Sequence, residues 1–171
     1  MGRLLDTTIV RTILSVWAWL VLGVLLIVMV PMVAIVRLVT APFDPGRYHA
    51  GLLFRKVAVF HQKLNPLWRF RVTGDVPTDP RRPYVVVANH ESFVDILLIS
   101  HLPFEMKWLS KSEFFKFPFA GWAMRIVGDI RLERGDVRSG VKALAECRKW
   151  LGRRVSVMIF PEGTRTPSGP L

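Results

Sequence analysis

The strongest constraint on this chain is a stretch of 25 residues near its amino terminus that contains no Asp, Glu, Lys or Arg. It covers residues 12–36 and lies between Arg11 and Arg37. At about 1.5 Å per residue, a helix of this length covers a hydrocarbon core of roughly 30 Å. The segment therefore predicts a helix that enters a bilayer and holds the protein at the membrane.

Two alternatives concern how this segment is used. Pro31 removes one backbone donor, so a bent or half-inserted helix competes with a straight span. A cleaved secretory signal is the second alternative, but such signals have a shorter apolar core and a small-residue cleavage site. We expect a retained membrane anchor and leave spanning and re-entry open.

A short stretch rich in Pro and Gly, residues 40–47, follows the apolar segment and predicts a linker. We expect residues 1–47 to form the anchor and linker, and residues 48–171 to form one domain. That domain holds 20 of the 24 basic and 11 of the 13 acidic residues, a net charge of +9. More basic residues follow the apolar segment than precede it, which predicts a domain that faces the cytoplasm beside membrane lipid.

Composition excludes several classes of protein. A single cysteine, Cys147, rules out an internal disulfide and a cysteine-rich zinc site. The sequence pI is about 10.9, but the basic residues are dispersed and no nucleic-acid-binding fold is recognisable. We therefore expect no nucleic acid partner.

Strand-like and helix-like segments alternate after the linker, which predicts an α/β fold. Residues 84–88 and 155–160 are β-branched apolar runs typical of interior strands covered on both faces. Residues 67–72 alternate apolar and basic side chains, the period of a strand with one buried face.

A helix is predicted between these strands. Asp136 is a suitable cap for its first turn and Gly152 for its end. Its apolar positions at helical spacing are Val141, Leu144, Ala145 and Leu151.

The first reactive motif follows the strand at residues 84–88 and contains His90 and Asp95. A histidine accepts a proton at neutral pH, and a carboxylate on its other nitrogen fixes the tautomer and supports the imidazolium. On one straight helix the two side chains would be about 140° apart. We therefore expect His90 in the turn after the strand and Asp95 in the first turn of the following helix.

Structural alternatives exist for this motif. Residues 92–95 also match a capping box, in which Asp95 would only satisfy a backbone donor. A zinc site is a further alternative, but Glu91 is adjacent to His90, and His61 and His101 have no recognisable zincin spacing. We expect no metal.

The second motif covers residues 160–166, where the second apolar strand runs into a turn with Pro and Gly. Arg165 is suited to bind a phosphate through two parallel bonds, and Gly163 allows close approach of the backbone. Glu162 is suited to orient Arg165 or to accept a hydrogen bond from a substrate hydroxyl. The motif predicts a phosphate cradle, and its alternative is an ordinary turn with a surface ion pair.

Together the two motifs resemble the first and third sequence blocks of the glycerolipid acyltransferases, and the resemblance covers roughly residues 84–166. Between them, further residues are similar to the family's middle region: Lys111, Glu113, Pro118, Gly121 and residues 128–134. The resemblance implies that Arg134 contacts a phosphate, together with the cradle of Glu162, Gly163, Thr164 and Arg165.

The resemblance also implies a fold and an activity, those of a 1-acylglycerol-3-phosphate O-acyltransferase. The fold would be α/β, a mixed sheet with flanking helices preceded by the membrane helix. The donor would be acyl-CoA or acyl-carrier protein, and the acceptor the sn-2 hydroxyl of a lysophosphatidic acid. No cofactor, metal or covalent acyl-enzyme is implied, and the sequence has no Gly-x-Ser-x-Gly elbow for a nucleophile.

Family members continue well past the position equivalent to Leu171, so we expect the domain to be incomplete at its carboxyl end. Two alternatives stay open for function. The acceptor is another lysolipid, or the chain is an inactive fragment that only binds membrane surfaces through its basic charge.

Overall fold

The computed structural model describes residues 8–65 and 68–163. Helices cover both faces of one four-stranded sheet, which confirms the predicted α/β class. The elements in chain order are α1 (Thr8–Thr40), α2 (Tyr48–Lys63), β1 (Val85–Val87), α3 (Val94–Ile99), β2 (Met106–Lys111), a 3-10 helix (Ser112–Lys116), α4 (Ala120–Val127), β3 (Ile130–Leu132), α5 (Val137–Gly152) and β4 (Ser156–Ile159).

The sheet has the strand order β1-β4-β2-β3, and its three pairings are all parallel. Crossovers between parallel strands are right-handed, so the two forward steps, β1 to β2 and β2 to β3, put α3 and α4 on one face. The return step from β3 to β4 puts α5 on the other face. The implied mixed sheet is therefore a parallel sheet throughout the described residues.

The two apolar runs form strands as predicted, but their side chains differ in how deeply they are buried. β4 is an interior strand, and Val157 and Met158 are completely buried. β1 lies at the edge of the sheet, where Val85 and Val87 are 55% and 62% exposed. The prediction of an interior strand was therefore wrong for β1, because a β-branched run indicates a strand and not its place in the sheet.

The strand predicted at residues 67–72 does not form, since residues 68–72 pair with no strand in the described part of the chain. The ring of Trp68 stacks on Phe70 with centroids 6.2 Å apart and meets the edge of His61. Phe70 in turn meets the ring of His101. The alternation of side chains reflects the packing of aromatic rings on His61 of α2 and on His101, just after α3, and not a hydrogen-bonded ladder.

The ends of α5 were predicted correctly. The carboxylate of Asp136 accepts a hydrogen bond from the backbone N–H of Arg138 at 2.9 Å, and the helix ends at Gly152.

The buried face of α5 was predicted incorrectly. Ala143, Cys147 and Trp150 pack against the sheet, whereas Val141 and Leu144 are 64% and 63% exposed. Both stripes have helical spacing, and the one with two small residues is the one that lies against the strands. Of the other two predicted positions, Ala145 is exposed and Leu151 is partly buried.

Helices α1 and α2 form an antiparallel hairpin. At its open end the indole of Trp17 donates to the carbonyl of Leu64 at 3.2 Å, and Nε2 of His61 donates to the carbonyl of Ala18 at 2.9 Å. α1 continues through Pro31 without a break, and among the described residues it alone is long and apolar enough to cross a membrane. The predicted linker is a packed turn, because Gly46 lies directly against Val155.

A network of buried charges joins this hairpin to the sheet. Glu105 and Lys107, at the start of β2, are completely buried and pair at 3.0 Å. The guanidinium of Arg55 on α2 contacts the carboxylates of Asp129 and Glu105, and Asp129 also accepts from the backbone N–H of Trp108. Burial raises the pKa of Glu105 and lowers that of Lys107, while their mutual attraction opposes both shifts. The network fixes α2 against β2 and β3.

We predict opposite effects for two Gly→Ala changes in helices. A Cβ at Gly51 would lie 2.0 Å from Oε1 of Glu105, so Gly51→Ala must displace a buried carboxylate and should lower the free energy of unfolding by roughly 3 kcal/mol. Gly140 has no atom within 4 Å of the added carbon, so Gly140→Ala should raise that free energy by about 0.5–1 kcal/mol. Chemical denaturation in detergent measures both. Equal free energies of unfolding for the two variants would contradict a stabilising role of the buried charge network.

Candidate active site

The carboxyl ends of the four parallel strands meet at one edge of the sheet, the edge where ligands of open α/β sheets bind. His90 follows β1 in the chain, and the turn at residues 160–163 follows β4. β1 and β4 are hydrogen-bonded neighbours. The topology therefore brings the two sequence motifs side by side.

His90 and Asp95 form a hydrogen-bonded pair in which Nδ1 of the ring lies 2.9 Å from Oδ2 of the carboxylate. Their side chains are 17% and 23% exposed. His90 lies in the turn after β1, and Asp95 lies in the first turn of α3, as their spacing predicts. Because a carboxylate only accepts, Nδ1 carries the hydrogen and Nε2 keeps a free lone pair.

The same carboxylate also caps the turn that leads into α3. Oδ2 of Asp95 accepts from the backbone N–H groups of Glu91 at 2.8 Å and Ser92 at 2.9 Å. Burial by itself raises the pKa of Asp95, but the bonds from Ser92, His90 and Glu91 together hold it below its ordinary value. The capping interpretation and the pairing interpretation are therefore both correct, and the carboxylate is ionised at neutral pH.

The second motif braces His90 from the neighbouring strand. The ring of Phe160 stacks on the imidazole with centroids 4.1 Å apart and planes 20° apart. A carboxylate oxygen of Glu162 accepts from the backbone N–H of His90 at 3.3 Å. Sequence reasoning gave Phe160 no role and assigned Glu162 to Arg165 or a substrate hydroxyl. The sequence feature that could have indicated these contacts is that each motif directly follows an apolar strand. The two strands are parallel neighbours in the sheet, so the segments that follow them lie side by side.

The turn at residues 160–163 has a conformation that favours glycine. The N–H of Gly163 donates to the carbonyl of Phe160 at 3.1 Å, and its φ of 67° is left-handed. Gly163 is half-buried, and among the described residues no atom lies within 4 Å of a Cβ built at this position. Thr164 and Arg165 lie outside the described residues, and their predicted phosphate contacts stay predictions.

Arg134 lies at the same edge of the sheet but not next to His90. It is exposed on the turn that follows β3, and β3 is three strand spacings, about 14 Å, from β1. Lys111, at the end of β2, stands between them and pairs with Glu113 at 3.0 Å. The edge is thus a row of polar groups that starts at the histidine and ends at arginine.

Cys147 takes no part in this row. It lies on the buried face of α5 in the core. Burial raises the pKa of its thiol, which disfavours the reactive thiolate.

A family model described as acyltransferase matches residues 69–171, about three fifths of the chain. The chain belongs to the acyltransferase family. It is 44% identical over 103 residues to a 1-acyl-sn-glycerol-3-phosphate acyltransferase of Chlamydomonas reinhardtii, a match that covers 59% of this chain and 31% of that protein. It is 36% identical over 119 residues to the lyso-ornithine lipid O-acyltransferase of Pseudomonas aeruginosa, covering 64% and 45%.

A solved structure supports the acyltransferase fold. The crystal structure of the 1-acyl-sn-glycerophosphate (LPA) acyltransferase PlsC from Thermotoga maritima has a TM-score of 0.54 and 26% identity, and the match covers 80% of this chain and 61% of that one. The chain spans about a third of the length of the first curated relatives that it matches.

Proposed function

We propose that this acyltransferase moves a fatty acyl group from acyl-CoA or acyl-carrier protein to the sn-2 hydroxyl of 1-acylglycerol 3-phosphate, forming phosphatidic acid. One observation carries the proposal. The hydrogen bond between Nδ1 of His90 and Asp95 leaves Nε2 as a base at the ligand-binding edge of the sheet. The names of the relatives support the choice of acceptor.

Each step of the reaction has a group to perform it. Nε2 of His90 takes the proton of the acceptor hydroxyl while the oxygen attacks the thioester carbonyl carbon, and Asp95 stabilises the imidazolium that forms. The C–S bond then breaks, and the departing thiolate takes the proton from the imidazolium. A thiolate is a good leaving group, so a covalent acyl-enzyme is not needed.

The second motif contributes by holding the base in place. Phe160 stacks on one face of the imidazole of His90, and a carboxylate oxygen of Glu162 accepts a hydrogen bond from the backbone N–H of His90. An error of about 1 Å in such a position costs on the order of a hundredfold in rate, so these contacts matter for turnover.

The acceptor phosphate is assigned to Arg134 and to the cradle of Glu162, Gly163, Thr164 and Arg165. A guanidinium binds phosphate through two parallel hydrogen bonds, which fixes orientation as well as charge. In this arrangement the acceptor lies along the row of strand ends, and its head group is held while its hydroxyl meets the base.

The lipid substrate requires a membrane location, and α1 supplies the anchor. Apolar side chains on its outer surface are largely exposed, among them Trp19 at 71% and Leu38 at 76%. The excess of basic residues after α1 favours a domain that faces the cytoplasm. The division into an anchor, residues 1–47, and an acyltransferase domain, residues 48–171, belongs to the same proposal.

The alternative acceptor is a lysolipid without the glycerol phosphate. The similarity to a lyso-ornithine lipid O-acyltransferase favours this possibility. The donor and the base would be unchanged, and only the head-group contacts would differ.

We predict that His90→Ala lowers acyl transfer by about a thousandfold, because the hydroxyl loses its base. His49→Ala is the matched control, since His49 pairs with Asp44 at 3.0 Å in the same Nδ1 to Oδ2 geometry at the turn between α1 and α2. Transfer from radiolabelled acyl donor to lysophosphatidic acid in mixed micelles measures both. A His90 variant that turns over as fast as the His49 variant would refute the assignment.

We predict that Arg134→Ala raises the acceptor KM for lysophosphatidic acid by roughly tenfold to a hundredfold, as expected for a lost charge-assisted contact. Any trace activity on monoacylglycerol, which has no phosphate, should be spared. Initial rates on the two acceptors give the comparison. Equal losses on both, with unchanged circular dichroism, would show that Arg134 supports the fold and does not bind phosphate.

A further inference from the structure

Three large aromatic side chains near the candidate active site are exposed without a role in the reaction. They are Phe114, Phe117 and Trp122, with 46%, 55% and 48% exposure, and we call them the aromatic ridge. Phe114 and Phe117 contact each other with ring centroids 6.1 Å apart, and Trp122 rests on Phe119 at 5.1 Å. Grouped exposed aromatic side chains commonly mark a contact surface.

The ridge begins at the same edge of the sheet as the candidate active site. Its first residue, Phe114, belongs to the 3-10 helix, which starts directly after β2 at the carboxyl edge of the sheet. That edge also carries the His90–Asp95 pair. A partner seated on the ridge would therefore lie at the same edge of the sheet as the catalytic base, about two strand spacings along it.

The ridge also continues the apolar surface of α1. Trp122 and Ile126 are four residues apart in α4, so they share one face of that helix. Ile126 packs against the core cluster that contains Val33 of α1, and Val36 of the same helix packs against that cluster too. One apolar surface thus runs from the membrane helix along α4 to the carboxyl edge of the sheet.

The charge around the ridge fits an anionic bilayer. Between residues 111 and 127 the basic residues are Lys111, Lys116 and Arg125, and the acidic residue is Glu113. Aromatic rings are enriched at the level of lipid head groups, and basic side chains nearby are attracted to anionic lipid.

A second exposed apolar stripe provides the contrast. Val137, Val141 and Leu144 on α5 are 81%, 64% and 63% exposed. This stripe is on the opposite face of the sheet from α4, and its helix packs on β2, β3 and β4 rather than beside α1. A bilayer that receives α1 and the ridge cannot contact this stripe at the same time.

We propose that the aromatic ridge enters the head-group region of an anionic bilayer together with α1, so that the catalytic edge opens onto the lipid surface. This inference deepens the proposed function and rests on its membrane-held acceptor. The ridge would present the row of strand ends to head groups, and an acceptor would reach His90 without leaving the bilayer.

The first test reports lipid contact without any need for catalysis. In a Cys147→Ala background, Lys116→Cys beside the ridge and Lys142→Cys on α5 each receive the same environment-sensitive fluorophore. The full chain is reconstituted into vesicles of equal phosphatidylcholine and phosphatidylglycerol that carry a nitroxide near the head groups. We expect strong quenching and a blue shift at residue 116 and little at residue 142. Equal quenching at both positions, or more at residue 142, would overturn the proposal.

The second test separates lipid contact from a role in the acyl site. Phe114→Ser with Phe117→Ser should raise KM for an acceptor held in vesicles on the order of tenfold, because two apolar rings no longer enter lipid. The rate on a water-soluble, short-chain acceptor should not change, and Val141→Ser with Leu144→Ser should alter neither. Equal loss on both acceptors would place the ridge in the acyl site and overturn the proposal. An inactive unmodified chain would count against the proposed function, while the quenching result still decides the lipid contact.

Discussion

The ion pair between Arg55 and Asp129 is the contact on which the arrangement of this molecule depends. It joins the hairpin of α1 and α2 to the strands, and Glu105 and Lys107 complete a network with little access to water. Removing one partner from such a network leaves a buried charge uncompensated, which costs several kcal/mol. The hairpin is therefore part of the folded body and not a tether. In the proposed membrane location, a helix held in this way would set the orientation of the sheet with respect to the bilayer.

Parallel pairing then determines where the two sequence motifs meet. All strand ends with the same polarity face one edge, so motifs that are far apart in the chain become neighbours there. His90 receives its orientation from Asp95 on its own segment and from Phe160 and Glu162 on the adjacent strand end. As the proposed base, a histidine supported from two directions would suit a reaction in which the hydroxyl, the thioester carbon and the ring nitrogen must be aligned.

Local signals in the sequence were sufficient for the parts of the fold that depend on local interactions. β1 and β4, the caps of α5, and the placement of His90 and Asp95 around a turn follow from β-branched runs, capping residues and spacing. β2 was missed because Lys107 lies inside it, and the sequence does not show that a buried carboxylate neutralises that lysine.

Tertiary contacts account for the remaining errors. The face that α5 buries depends on which of two apolar stripes fits the sheet, and residues 68–72 pack aromatic rings instead of pairing as a strand. The roles of Phe160 and Glu162 became visible only when β1 and β4 were known to be neighbours. Spacing along the chain cannot supply the partner of a group on another strand.

We propose that His90 and Asp95 act as one base, and a double-variant comparison of kcat/KM on lysophosphatidic acid decides whether they do. Asp95→Asn alone should lower kcat/KM nearly as much as His90→Ala, because the imidazole loses the carboxylate that orients it and stabilises the imidazolium. The double variant should be no slower than His90→Ala alone, since residues that act as one unit have non-additive effects. Losses that multiply in the double variant would show that the two residues act independently and would overturn the pairing.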